Sequence, residues 1–302
     1  MKYLITICFL FCYASSFSQY SYPKKEYAQL VLKSKLVVTL LEGESEYVAN
    51  MNSSIKEIFT NKWTDTEVLF LTQPEIDNLR KVHKNGYSFL YQKAGESNER
   101  RFGEDNLGES YTYNAFTFSN YQYYLNILID GKNHFVTGVD FGNANLMKAD
   151  HLFLCQQLSK LIKASAEGKK SNQYFNVKNN IEQLKNSTLV LPRFMFREKD
   201  LDKIGNYYDY PFQLVDLQGY QEVILNEESG NSYVKIIWSR QHHLYVWVVV
   251  DATNGSIISI NSFGGVHFGS DQTMNEVIKA KYLKYATSKF AQKVNNRYGR
   301  KL

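Results

Sequence analysis

Apolar and polar positions alternate along this chain in an order that occurs twice. Leu36-Val37-Val38 follows Leu32-Lys33-Ser34-Lys35, and Leu189-Val190 follows Leu184-Lys185-Asn186-Ser187-Thr188 in the same way, with one residue inserted. Apolar runs this short read as strands. Each is followed by apolar residues at helical spacing, Ile55 and Ile58 in the first copy, Leu201 and Ile204 in the second. A second strand comes next, over 67–71 and 213–217, preceded by Trp63 in one copy and Tyr207-Tyr208 in the other. A short helix leads to a third strand, and Tyr87-Ser88-Phe89-Leu90-Tyr91 matches the run that opens at Tyr233.

A hairpin closes each copy. The strands 124–130 and 245–251 end in Asp130 and Asp251 and run into Asp130-Gly131-Lys132-Asn133 and Asp251-Ala252-Thr253-Asn254-Gly255. Asp-Gly and Asn-Gly supply the positive-φ positions of tight turns. Return strands over 135–141 and 256–263 lead through glycine loops, 142–145 and 264–267, into amphipathic helices over 150–166 and 271–295. Asp150 and Asp271 stand as their expected N-caps.

The fold class this order predicts is α/β or α+β. It consists of two tandem copies of a mixed β-sheet module (strand–helix–strand–helix–strand–hairpin–helix), each sheet covered by helices. Copy one spans 19–170 and copy two 176–302, and the boundary lies in the polar stretch 168–180. Copy one also carries an insertion at 94–120, rich in Gly, Glu, Asn, Arg and Tyr, which reads as a functional or mobile loop. The opening strand–helix–strand–helix–strand pattern resembles small α/β modules of bacterial envelope-assembly and secretion proteins over about a hundred residues per copy, without a diagnostic motif.

Residues 1–18 stand apart. Lys2 precedes an apolar run of ten, Leu4 to Tyr13, and Ser16-Phe17-Ser18 places small residues at −3 and −1 of a cleavage site. That is the pattern of a cleavable signal peptide, and the run is too short to span a bilayer. The expectation is an extracytoplasmic protein, periplasmic or secreted, cleaved after Ser18 and left with no transmembrane segment. Cys8 and Cys12 leave with the leader, so Cys155 stays alone and no intramolecular disulfide forms. Its register with Leu158 and Ile162 makes it a buried structural thiol.

Charge is uneven. The last 24 residues hold eight Lys or Arg and no acid, whereas 19–278 hold 26 basic and 30 acidic residues. Lys279, Lys281, Lys284, Lys289, Lys293, Arg297, Arg300 and Lys301 are therefore the anion-contact candidates.

Candidate chemistry is sparse. His242, His243 and His267 form the one histidine grouping, but neighbours on a strand point to opposite faces, so no metal site is expected. Glu75 and Asp77 follow Pro74 at a helix start and read as capping acids. Asp130 and Asp251 read as turn formers, and Asp140 is a weak catalytic candidate. No GxSxG, HExxH, CxxC or phosphate loop is present. Gly264-Gly265-Val266-His267-Phe268-Gly269 lacks dinucleotide spacing, so no cofactor is expected.

The sequence thus favours a non-catalytic envelope or secreted binding protein, whose partner is another envelope protein or an anionic surface rather than nucleic acid. That reading requires exposed apolar patches. The alternatives are a small-ligand binding protein or an extracytoplasmic hydrolase with its site between the copies or under the insertion, which carries Glu96, Glu99, Arg100, Arg101, Glu104, Asp105 and Glu109.

Overall fold

The computed structural model describes residues 22–104, 110–141, 146–174, 181–239, 244–262 and 278–286. The leader and its cleavage site, the histidines at 242, 243 and 267, and Lys289, Lys293, Arg297, Arg300 and Lys301 lie outside them.

The first half opens with α1 (Lys25–Val31), β1 (Lys35–Thr39) and α2 (Glu46–Lys62), then β2 (Val68–Leu71) and α3 (Gln73–Val82). It continues through β3 (Tyr87–Glu104), β4 (Ser110–Ile129), β5 (Lys132–Phe141) and the long helix α4 (Lys148–Ala166). A single turn, α5 (Ser171–Tyr174), follows. The second half holds β6 (Thr188–Pro192), the short helix α6 (Glu198–Leu201), β7 (Phe212–Val215), α7 (Leu217–Leu225), β8 (Asn231–Ser239), β9 (Leu244–Asp251) and β10 (Ile257–Ser262). A 3₁₀ segment, Ala280–Ala286, comes last among the described residues.

All ten strands belong to one mixed sheet. This differs from the expectation of a separate sheet per copy. The join is one bridge, Phe141 of β5 antiparallel to Ile237 of β8. On either side of it the strands run in the order β2-β1-β3-β4-β5 and β7-β6-β8-β9-β10. In each half the first strand pairs in parallel with the second and third, and the remaining pairs are antiparallel. The hydrogen bonds coincide too. Lys35 and Leu36 donate their N–H groups to Gly86 and Glu67, and Thr188 and Leu189 donate theirs to Gly230 and Pro211. This register sets Ser88 against Ser232, so Phe89, not Tyr87, stands where Tyr233 stands. The sequence match of the third strand is therefore two residues out, because two aromatic-rich strands align equally well in either register.

Residues 94–120, expected as a loop, continue β3 and β4 as paired strand except for 105–109, which lie outside the described residues. Tyr111-Thr112-Tyr113 and Phe116-Thr117-Phe118 are strand-forming types despite the polar neighbourhood. The second half departs from the first after β6. Where α2 runs for 17 residues, the second half has only Arg193–Met195, α6 and Ile204–Asn206. Leu201 and Ile204 are nonetheless buried.

Helix α4 is central. Ala149, Leu152, Phe153, Leu154, Cys155, Leu158, Leu161 and Ile162 are all buried. A helix apolar on nearly every side has to be covered on every side, and α4 packs against α1 and α2 of its own half and α7 of the other. On the opposite face of the first half a smaller core of Val37, Ile76, Phe89, Tyr91 and Leu128 lies under α3. Ile278, Ala280, Tyr282, Leu283 and Ala286 are buried too. The start of the basic tail is thus a core element, with Lys281 and Lys284 on its exposed side and Lys279 half-buried.

Candidate functional site

A group of buried polar side chains gathers around α4 and reaches the seam between the halves. Lys235 of β8 forms a buried ion pair with Asp150 of α4. Its ammonium also lies 5.2 Å from the ring centre of Phe141, the bridging residue. The sequence predicts Asp150 as an N-cap. The helix instead begins at Lys148, which puts Asp150 inside its first turn, where its second oxygen accepts from the Met147 N–H at 2.9 Å. One carboxylate therefore closes the helix start and holds the lysine.

His151, fully buried, heads a chain of hydrogen bonds whose direction can be derived. Gln92 Nε2 donates to the Thr39 carbonyl at 2.6 Å, so its Oε1 faces the tyrosines. Tyr121 and Tyr123 both donate to that oxygen, at 3.1 and 3.2 Å. The Tyr123 hydroxyl has one proton, so at its 2.9 Å contact with His151 Nε2 it accepts. Nε2 then carries the imidazole proton, Nδ1 is bare, and Ser54 Oγ donates to it at 2.6 Å. Gln92 stands opposite Tyr123 in the β3–β4 ladder, and Tyr121 and Tyr123 share a face by the two-residue period. Burial, opposed by the Asp150 charge and aided by Lys235, lowers the His151 pKa to about 4. Burial likewise raises the Tyr123 hydroxyl well above its usual range.

The His151 chain lies within the first half, and four bonds besides the Asp150–Lys235 pair cross the seam. Gln157 Nε2 donates to the Gly255 carbonyl at 2.6 Å, Lys160 to Ser256 Oγ at 2.9 Å and Gln156 to Glu227 at 3.1 Å. Lys62 of α2 pairs with the same Glu227.

Chemically, Ser54–His151 is a hydroxyl on a neutral base, the start of an acyl-transfer constellation. Among the described residues the rest of such a constellation is missing. A base near 4 is weak at neutral pH, and Ser54 lies inside α2, where backbone N–H groups are engaged in the helix and none is free to stabilise an oxyanion.

The other candidates resolve as structural groups. Glu75 accepts from the Thr72 N–H at 2.7 Å, and this bond lowers its carboxyl pKa. Asp77 accepts from Gln73 at 2.9 Å. Asp130 at φ +50° and Gly131 at +78° make the tight turn, and Asp251 accepts from the Thr253 N–H at 2.8 Å. Asp140 is buried and engaged. Burial pushes the Cys155 thiol up to about 12. Among the described residues no group of His, Cys, Asp and Glu could hold a metal ion, and no helix is long and apolar enough to cross a membrane. The side chains of the insertion's Glu96, Glu99, Arg100, Arg101, Glu104, Asp105 and Glu109 lie outside what the structure describes.

Sequence reasoning missed the seam because its members come from α2, β3, β4, α4 and β8 and have no local spacing. Lys235 inside the apolar run Tyr233 to Trp238 was the one available signal, since a lone charge in a buried strand requires a partner.

No family model, curated protein or solved structure matches the chain.

Proposed function

We propose that this protein is a non-catalytic binding scaffold of the extracytoplasmic envelope, built from a tandem duplication of one α/β module and exported by residues 1–18. The observation that carries the non-catalytic reading is the closure of the seam. His151 and Tyr123 are buried and bonded to each other within the first half, and Asp150 and Lys235 are buried and paired across the seam, so both pairs are engaged by protein groups and support a structural role. Val82, Phe135, Phe194 and Leu217, by contrast, are apolar and exposed and offer surface to a partner. The shared strand order and the matching Gly86 and Gly230 hydrogen bonds support the duplication. The partner class is another envelope protein or an anionic surface, the latter met by the basic tail.

The test is expression of the full chain with its leader, fractionation of the cells and sequencing of the mature N-terminus. The reading expects Gln19 as the first residue, outside the cytoplasm. Unprocessed protein in the cytoplasm overturns it.

The hydrolase alternative has one observation in its favour, the 2.6 Å Ser54–His151 contact. Loss of a hydrolytic activity on Ser54→Ala would establish it.

A further inference from the structure

In the second half, helix α4 caps one corner of the sheet, where the chain leaving α7 meets the β9–β10 turn. Gln156 reaches Glu227 just past α7, and Gln157 and Lys160 reach Gly255 and Ser256 in the turn. The hydrogen bonds to Gly86 and Gly230 fix the matching corner of the first half. There the chain leaving α3 meets the β4–β5 turn, and the Gly131 N–H donates to the Lys84 carbonyl at 2.9 Å. No helix of the described residues covers this corner. Its apolar side chains are open to solvent: Val82, at the end of α3, is 75% exposed, and Phe135, four residues past the turn, is 49% exposed.

The charges at the two corners are opposite. The covered corner presents Glu227 and Asp251, and receives Lys62, Lys160 and glutamines. The open corner presents the exposed Lys81, Lys84 and Lys132, with Asp130 at the turn and Asp77 one helical turn before Lys81. No ion pair among the described residues engages those three lysines. Lys84 lies along Gly131, where a Cβ would meet its Cδ at 3.0 Å, so its stem is placed over the turn.

We infer that the Val82–Phe135 corner is a docking site for an acidic amphipathic helix of a partner protein. The helix sits as α4 sits on the second half, with acids where α4 carries Gln156 and Lys160. A second copy of this chain does not suit the site: its own tail carries eight basic residues and no acid, and would meet a lysine-rich corner. This proposal rests on the scaffold reading and deepens it by naming the surface and the chemistry of its partner.

The probe is a labelled peptide of residues 148–166 carrying Cys155→Ala, Gln156→Glu, Gln157→Glu and Lys160→Glu. Its binding to the full chain is measured by fluorescence anisotropy against a peptide with only Cys155→Ala. Phe135→Ser and the pair Lys84→Glu/Lys132→Glu change exposed residues, and circular dichroism checks that they fold. The acidic peptide is expected to bind wild type at least about tenfold more tightly than the control peptide, and each variant should lose about tenfold. The charge-reversed chain should reverse the preference. No binding, or binding indifferent to these substitutions, overturns the docking site and leaves the export test of the scaffold reading unaffected. Concentration-dependent self-association abolished by Phe135→Ser overturns it in favour of a second copy.

Discussion

Lys235 on β8 and Asp150 on α4, 85 positions apart in the chain, form a buried ion pair across the seam between the two halves. Burying both charges costs several kcal/mol per ion before their attraction is counted, so such a pair is better evidence for a specified arrangement than for stability. Here it fixes how α4 lies on the second half. Removing one member leaves the other buried without a partner. Lys235→Met and Asp150→Asn are each expected to lower stability by about 3–5 kcal/mol in urea titrations. The double variant should recover much of the loss, because the amide oxygen introduced at position 150 still accepts from the Met147 N–H and no charge remains. Additive losses would show that the two residues do not interact.

The His151 network makes stability depend on pH. The folded protein holds the imidazole neutral down to about 4, whereas the unfolded chain protonates it near the ordinary 6.5. The unfolded state therefore binds the proton first as pH falls. The contribution is complete above 6.5 and is lost progressively down to about 4, for a total of about 3 kcal/mol. Carboxylates add their own pH dependence below that window. The measurement is the difference in urea midpoint between wild type and His151→Gln across pH ~4 to ~7, which should carry this slope. Parallel profiles would show that the buried imidazole does not titrate as argued.

Much of the fold was legible in the sequence where local rules decide. The Asp130-Gly131 and Asn254-Gly255 turns, the α3 start at Pro74-Glu75 and the burial of Cys155 all depend on a few neighbouring residues. Long-range pairing was not legible. Nothing near Phe141 announces Ile237 as its partner, so the sequence points to two sheets where one exists. The ribbon at 94–120 was hidden by its polar residues, which suit a two-stranded pair as readily as a loop. The seam itself was invisible because its partners, from Ser54 to Lys235, are brought together only by α4.

Two glycines with similar backbones should respond differently to alanine. Gly230 at φ +78° has nothing within 4 Å of a built Cβ, so Gly230→Ala incurs only the left-handed backbone cost, about 1–2 kcal/mol. At Gly255, φ +71°, the added carbon would overlap Gln156 Oε1 and lie 2.8 Å from Gln156 Cβ. Gly255→Ala should cost more, by about 1–3 kcal/mol, as the seam is forced apart. Equal urea midpoints for the two variants would contradict the packing described at that contact.

The tail divides by role. A chain ending at Val277 loses the buried Ile278, Ala280, Tyr282, Leu283 and Ala286, and its thermal midpoint should fall sharply. A chain ending at Ala286 keeps them and lacks Lys289, Lys293, Arg297, Arg300 and Lys301. It should melt above the chain ending at Val277 and lose the salt-sensitive part of any binding to anionic vesicles. Thermal scans and a salt series of vesicle sedimentation on both truncations check this. Similar melting of the two would remove 278–286 from the core.

The non-catalytic reading is tested most directly at Ser54. Purified protein, residues 19–302, is incubated with a fluorophosphonate that labels activated serines, and the adduct is located by peptide mass spectrometry in wild type and Ser54→Ala. A serine bonded to a buried imidazole with a pKa of about 4, inside a helix whose backbone N–H groups are engaged, should show no labelling at position 54 above that of a surface serine. Stoichiometric labelling of Ser54, abolished by His151→Gln, would contradict the scaffold account and make the seam an active site.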